Sequence, residues 1–192
     1  MTKRVDYYLT PISPWTYLGH ERFAQILKRQ GAAVEVKPVD YGVIFPQSGG
    51  LPLAKRAPQR QAYRLVELAR WRDFLGVPLN LQPKFFPADP AQAACLISAA
   101  PEDKRLVLAG DLLRAVWAEE KNIADAGVLA DIAARHGITD AGAAIAQGKP
   151  VYERNTQEAL ARQVFGAPTY VYRDELFWGQ DRLDFLDRAL AT

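Results

Sequence analysis

Ser13 stands directly before a proline in the stretch "TPISPWTYLG", which begins at Thr10, and an amphipathic run follows. A serine before proline is how a helix starts. The hydroxyl oxygen accepts from an orphan N–H of the first turn, and Pro14 at the first helical position has no N–H to leave unpaired. That role alone explains the pair. The same hydroxyl also lies at the positive end of a helix dipole, a place that favours anions. There it can donate a hydrogen bond to a negatively charged atom. The residues leave both roles open.

Three further groups carry candidate chemistry. In "VFGAPTYVY", Ala167–Pro168 precedes a β-run. It reads either as an ordinary trans proline opening an edge strand, or as a cis bond that turns the Ala167 N–H and C=O outward, toward a peptide backbone. In "FWGQDRLDFL", Asp181 suits an N-cap or first-turn acid, with Asp184 three residues on as in a capping box. Functionally, Gly179 admits close approach to the backbone, and Gln180 and Asp181 suit the two charged ends of a γ-glutamyl group. The third group is basic: Arg56, Arg60 and Arg64 at i, i+4 and i+8, with Lys55 beside them. Like charges so spaced cost a helix roughly 0.2–0.5 kcal/mol per pair, partly offset here by Glu67. The run is either a solvated face or a site for carboxylates, which arginine grips with two parallel hydrogen bonds.

Some chemistries are excluded by what is missing. Cys95 is the only cysteine, and His20 and His136 are the only histidines. There is no disulfide framework, no C-x-x-C pair and no structural zinc set. Cys95 sits in the apolar run "AACLISAA" and reads as a buried small hydrophobe. A formal charge of +2 over 192 residues argues for neither nucleic acid nor a membrane surface. No apolar stretch reads as a signal peptide or a membrane span, so the expectation is a cytoplasmic protein with a small-molecule substrate.

These residues need elements to position them. "RVDYYL" at 4–9 reads as a strand, Pro14 to Gln30 as a helix ending at Gly31, and "AVEVKPV" from Ala33 as a second strand, a β-α-β opening. "FPQSGGLP" from Phe45 reads as a loop. A helix follows from Pro58 to Leu75 with a wide apolar stripe of Tyr63, Leu65, Val66, Leu68, Trp71, Phe74 and Leu75. After the proline-broken loop "GVPLNLQPKFFPADP" come helical segments at 89–100, 102–119, 125–136, 139–147 and 152–164. "PTYVYR" and "ELFW" read as strands, and "DRLDFLDRAL" as the closing helix. Joining the two ends gives a thioredoxin-like layer with an all-helical insertion. In such layers a reactive cysteine usually occupies the place held here by Ser13, its thiolate stabilised by the helix end. A serine there points to an external thiol, and glutathione is the candidate.

"SPWTYLG" at 13–19, "ELARWRDFLGVPL" at 67–79, "VFGAPTYV" at 164–171 and "FWGQDRLDFL" at 177–186 together resemble the 2-hydroxychromene-2-carboxylate isomerase family, bacterial relatives of kappa-class glutathione transferases. The resemblance implies an α/β fold: a thioredoxin-like β-α-β … β-β-α domain from 1–44 and 165–192, with a helical insertion at 45–164. It implies glutathione as cofactor and Ser13 as the catalytic residue. Ala167 with Pro168, and Trp178, Gly179, Gln180 and Asp181, match glutathione-binding positions. Substrate-binding residues vary more in the family and are expected in the loops 45–56 and 82–87, with Lys55, Arg56, Arg60 and Phe85 as the candidates. The implied reaction is isomerisation of an aromatic-catabolism carboxylate by reversible thiolate addition, in a chain that the family allows to be a homodimer. A kappa-like transferase and a non-catalytic glutathione- or peptide-binding module are the alternatives. The chain departs from the family at Thr10, where an aspartate is common, near Gly50, where an asparagine is common, and at Phe85, where several members have tyrosine.

Overall fold

The computed structural model describes residues 3–192. Strand β1 (Arg4–Leu9) lies inside the sheet and is buried on both faces. Val5, Tyr7 and Leu9 join the main core while Tyr8 joins a smaller one on the other side, the period-two alternation of a strand. β2 (Ala33–Pro38) pairs with it in parallel. β3 (Thr169–Tyr172) and β4 (Glu175–Trp178) add antiparallel, giving the order β2-β1-β3-β4. Arg173 and Asp174 join β3 to β4, both at positive φ, as a two-residue hairpin turn requires.

Helix α1 (Pro14–Gln30) connects β1 to β2. It stops at Gly31, whose φ of 60° lets the Ala32 N–H bond back to the Leu27 carbonyl at 2.9 Å. An aromatic cluster holds α1 on the sheet: Phe23 lies 4.7 Å from Tyr7 and 4.6 Å from Tyr170, and the two tyrosines stack at 5.1 Å. His20 adds a polar tie. Its Nε2 lies 3.0 Å from the Leu106 carbonyl, which can only accept, so the proton sits on Nε2. Nδ1 then accepts from the Tyr7 hydroxyl at 3.2 Å.

Six helices stand between the two halves of the sheet: α2 (Tyr41–Ser48), α3 (Pro58–Leu75), α4 (Ala91–Ala99), α5 (Glu102–Trp117), α6 (Ala126–Arg135) and α7 (Ala141–Ala161). α8 (Leu183–Ala191) closes the chain and packs beside α1 through Leu183, Leu186 and Leu190. α2 and α7 cover the opposite face, where Tyr8, Val39, Ile44, Ala159 and Val171 form the second core. Lys37 is buried there with its ammonium 2.6 Å from Glu158 and 3.3 Å from Asp6, and the Tyr8 hydroxyl donates to Glu158 at 2.9 Å. A buried cation so surrounded is compensated. Among the described residues no helix is long and apolar enough to cross a membrane.

Three sequence expectations need correction. Residues 45–48 are helical, as the end of α2, despite Pro46. The Asp40 carboxylate caps that helix by accepting from the Gly42 N–H at 2.7 Å. The expected pair of helices at 139–147 and 152–164 is one helix, α7, running through Pro150. Pro150 and Ala146, whose carbonyl loses its partner, are both exposed, so water can take the vacant bond. Gly148, buried two residues before Pro150, allows α7 to press against the Cys95 carbonyl of α4, and that packing carries the helix across the break. Finally, Asp181 does not cap the closing helix. A short 3-10 turn, Gln180–Arg182, precedes α8, no side chain caps either, and Asp181 pairs with Arg182 at 2.7 Å while Asp184 pairs with Arg22 at 3.1 Å.

Burial holds the His20 imidazole neutral, with its pKa pulled down to about 4. The unfolded chain takes up that proton first, near pH 6.5, so acidification favours unfolding. The stability His20 supplies is complete above pH 6.5 and declines as pH falls toward 4. Between pH 7 and 5 the expected loss is roughly 2 kcal/mol. Denaturant melts of wild type and His20→Gln across that range test this. The variant should lack this part of the slope, and parallel pH profiles would rule His20 out as its source.

Candidate active site

The carboxyl end of β1 and the amino end of α1 meet at Ser13. Its backbone is extended, its N–H donates to the Thr10 carbonyl at 3.1 Å, and its Oγ accepts from the Thr16 N–H at 3.2 Å. The side chain therefore is an N-cap. Its hydroxyl proton has no acceptor among the described residues, so the group can still donate at the positive end of a 17-residue helix.

The β1–β3 register pairs Tyr8 with Thr169, which brings the chain before β3 alongside the end of β1. Ala167–Pro168 is cis, and β3 lies between β1 and β4, so the edge-strand reading fails. The neighbouring carbonyls are engaged. Gly166 C=O accepts from the Tyr41 hydroxyl at 2.7 Å and from Thr169 Oγ1 at 2.6 Å, and Pro168 C=O accepts from the Gly179 N–H at 2.8 Å. Between them the Ala167 N–H and C=O have no protein partner among the described residues. One donor and one acceptor are thus left without a protein partner on one residue, as pairing with an extended backbone would require.

Trp178 lies next to this strip. Its indole packs against Gly166, where a side chain would collide with it, and 4.9 Å from the Phe165 ring. Gly179 follows at φ 97°, and a Cβ there would meet the Asp181 carboxylate at 2.5 Å. The Asp181 carboxylate thus lies over the glycine and remains exposed to a ligand. Gln180 is different. It is buried, its Oε1 accepts from Arg22 at 3.3 Å, and it packs where Gly19 of α1 leaves room. Its side chain ties this segment to α1, and the groups left facing out are the Trp178 ring, the Gly179 backbone and the Asp181 carboxylate.

The basic run divides. Lys55 ends a 3-10 turn, Leu53–Lys55, and Arg56 follows with extended backbone, so Arg56 lies outside α3 and makes no helical pair with Arg60. The Arg56 Nε donates to the Leu51 carbonyl at 2.8 Å. Lys55 and Arg60 are exposed, and their side chains make no hydrogen bond or ion pair among the described residues. Glu67 pairs with Arg70 at 2.6 Å and not with the run. Arg64 turns inward and is buried, its guanidinium over the rings of Phe86 and Trp117 at 5.3 and 5.7 Å. Phe85 is partly exposed with Lys84 over its ring at 5.1 Å. The start of α3 is thereby brought to the 82–87 loop.

Sequence reasoning missed the inward turn of Arg64 and the role of Phe86, which precedes a second cis proline, Pro87. The signal was present. Arg64, Leu68, Trp71 and Leu75 fall at i, i+4, i+7 and i+11, one face of a helix, and this is the face that packs inward. The expected wide stripe is narrower: Tyr63, Val66 and Phe74 face solvent. The two groups of candidate residues flank the first half of α1. Trp15 and Tyr17 pack into the same core as Trp71, Phe86 and Trp117, and the Tyr17 hydroxyl donates to the Pro78 carbonyl at 2.6 Å. Cys95 lies apart, buried in α4, where burial raises its pKa.

The chain resembles known proteins along nearly all its length. It is 29% identical to 2-hydroxychromene-2-carboxylate isomerase of Sphingobium xenophagum, with 99% of each chain covered. It is 22% identical to glutathione S-transferase kappa 1 of Caenorhabditis elegans, over 95% of this chain and 88% of that one. A solved structure of 2-hydroxychromene-2-carboxylate isomerase superposes with a TM-score of 0.84 at 25% identity, covering 98% of this chain and 94% of the other. The DSBA-like thioredoxin domain model matches residues 4–191, and the chain belongs to that family.

Proposed function

We propose that this protein is a glutathione-dependent isomerase acting on a conjugated or aromatic carboxylate. The observation that carries this reading is Ser13: a hydroxyl with a free proton at the amino end of α1, in a chain whose single thiol is buried elsewhere. The names of the similar proteins support it, since they include isomerases and glutathione transferases. In this reading residues 1–44 and 165–192 hold glutathione, and the helical block 45–164 holds the substrate.

Glutathione held here would supply a thiolate nucleophile, the chemistry needed for reversible addition across a conjugated double bond, whose π bond gives way to the C–S bond and leaves a single bond about which rotation is possible. The chain's own residues bind, orient and tune. Ser13 donates a hydrogen bond to the sulfur while keeping its proton, and the helix end favours the thiolate over the thiol. The unpaired N–H and C=O of Ala167, ahead of Pro168, hold the peptide backbone of glutathione. Trp178 covers it, the Gly179 backbone lets it approach, and the Asp181 carboxylate meets its amino group, while Gln180 keeps that segment docked on α1. Lys55, Arg56 and Arg60 draw the substrate's carboxylate, and Phe85 meets its apolar part.

A transferase in the manner of the kappa relatives would release the conjugate as product. Free thiol would then fall during turnover, whereas isomerisation leaves it constant.

Ser13→Ala removes the cap and should cost about 1 kcal/mol of stability. It also removes a hydrogen bond to a charged atom, worth about 1.5–3 kcal/mol. The bound thiol pKa should therefore rise by roughly one to two pH units, with some depression left by the helix dipole. Ultraviolet titration of the complex reads the thiolate directly. A variant that melts earlier while its bound thiol titrates as in wild type would reduce Ser13 to a cap. Cys95→Ser should keep its turnover, because the thiol that reacts is borrowed. Loss of all activity in folded Cys95→Ser would overturn the scheme.

A further inference from the structure

Arg64 is the one residue of the basic run that is buried, at 9% exposure, yet no carboxylate answers it. Its guanidinium makes no hydrogen bond or ion pair among the described residues, and its company is aromatic: Phe86 at 5.3 Å and Trp117 at 5.7 Å. Burial, and after it the like charge of Arg56, pulls the Arg64 pKa down to about 10. The group is still a cation at neutral pH. Ring faces compensate a buried cation only in part.

The donors are not sealed in. Among the described residues the buried side-chain atoms without a partner are Thr16 Oγ1, Trp117 Nε1 and Tyr170 Oη, and no guanidinium nitrogen is among them. The fork of Arg64 therefore keeps access to solvent while its faces lie on rings. Trp117 Nε1 adds an orphan donor within the same aromatic cluster. A planar cation laid on aromatic rings with its N–H edge open is arranged for a planar anion, and Arg meets carboxylates this way with two parallel bonds.

We propose that Arg64 is the anchor for the carboxylate of a small aromatic or conjugated acid, which enters beside Phe86 and Trp117. Lys55, Arg56 and Arg60 then serve as an outer field that draws the anion in, and Arg64 fixes its position. This deepens the functional reading above by naming the group that grips the substrate's acid end. Binding at Arg64 nevertheless needs neither glutathione nor turnover.

The test is binding of benzoate, and of benzamide as its neutral isostere, to the full chain without glutathione, followed by calorimetry and tryptophan fluorescence. Benzoate should bind well ahead of benzamide, and added salt should weaken it. Arg64→Gln should weaken benzoate roughly ten- to a hundredfold, and Arg64→Lys, which keeps the charge but not the fork, should fall between. If Arg64→Gln does not fold, the folded Lys variant decides: benzoate affinity equal to wild type overturns the proposal. So does benzoate that binds no better than benzamide, or that ignores the Gln change. Titrating the thiol of bound glutathione in the same proteins separates the two readings. Arg64-dependent benzoate binding without glutathione binding sinks the glutathione scheme alone. A depressed thiol pKa with benzoate indifferent to Arg64 sinks the anchor alone.

Discussion

Two hydrogen bonds on one imidazole set the frame on which the candidate site is built. His20 accepts from Tyr7 of the sheet and donates to Leu106 of the helical block, so β1, α1 and α5 are tied at one point. The tie fixes how far the amino end of α1 projects beyond β1, and hence where Ser13 sits. It also seats α5, whose last residue, Trp117, is one of the two rings beneath Arg64. The fit is close: a Cβ on Gly110 would come within 2.8 Å of His20 Nε2, so α5 can approach only because a glycine stands there. The two ends of the candidate site thus share one structural origin.

Two buried cations in the same chain show opposite solutions to one electrostatic problem. Lys37 is enclosed by Asp6, Glu35 and Glu158. Its charge is neutralised locally, and it joins α7 to the sheet. Arg64 is held by rings alone. Burial costs both groups hydration, but only the first recovers it within the fold. The difference separates a cation that serves architecture from one that the proposal above pairs with a ligand's carboxylate.

Much of the fold was legible in the sequence because local chemistry and tertiary structure agree there. The Ser13–Pro14 start and Gly31 stop of α1 are local signals, and so is the alternation of β1. What stayed hidden depended on partners distant in sequence. Pro46 and Pro150 read as breaks, yet a capping aspartate and a neighbouring helix outweighed them. Asp181 read as a cap, yet its carboxylate turns to Arg182 beside it. The candidate site was legible at Ser13 as a helix cap, where one residue carries the signal. It was less so around Arg64, because the basic spacing concealed that this arginine falls in phase with Leu68 and Trp71. The periodicity that finds a core face can also find a charge placed on it.

The seam between α4 and α7 has a further consequence. Gly148 brings α7 so near the Cys95 carbonyl that the chain's single sulfhydryl is shut beneath a helix, leaving it 6% exposed. An alkylating reagent can reach that sulfur only when the seam parts. The rate at which the protein is labelled is then a clock for the opening of one defined joint, already installed and needing no engineered probe. Under the function proposed above, the same burial keeps the chain's own thiol out of mixed disulfides with glutathione.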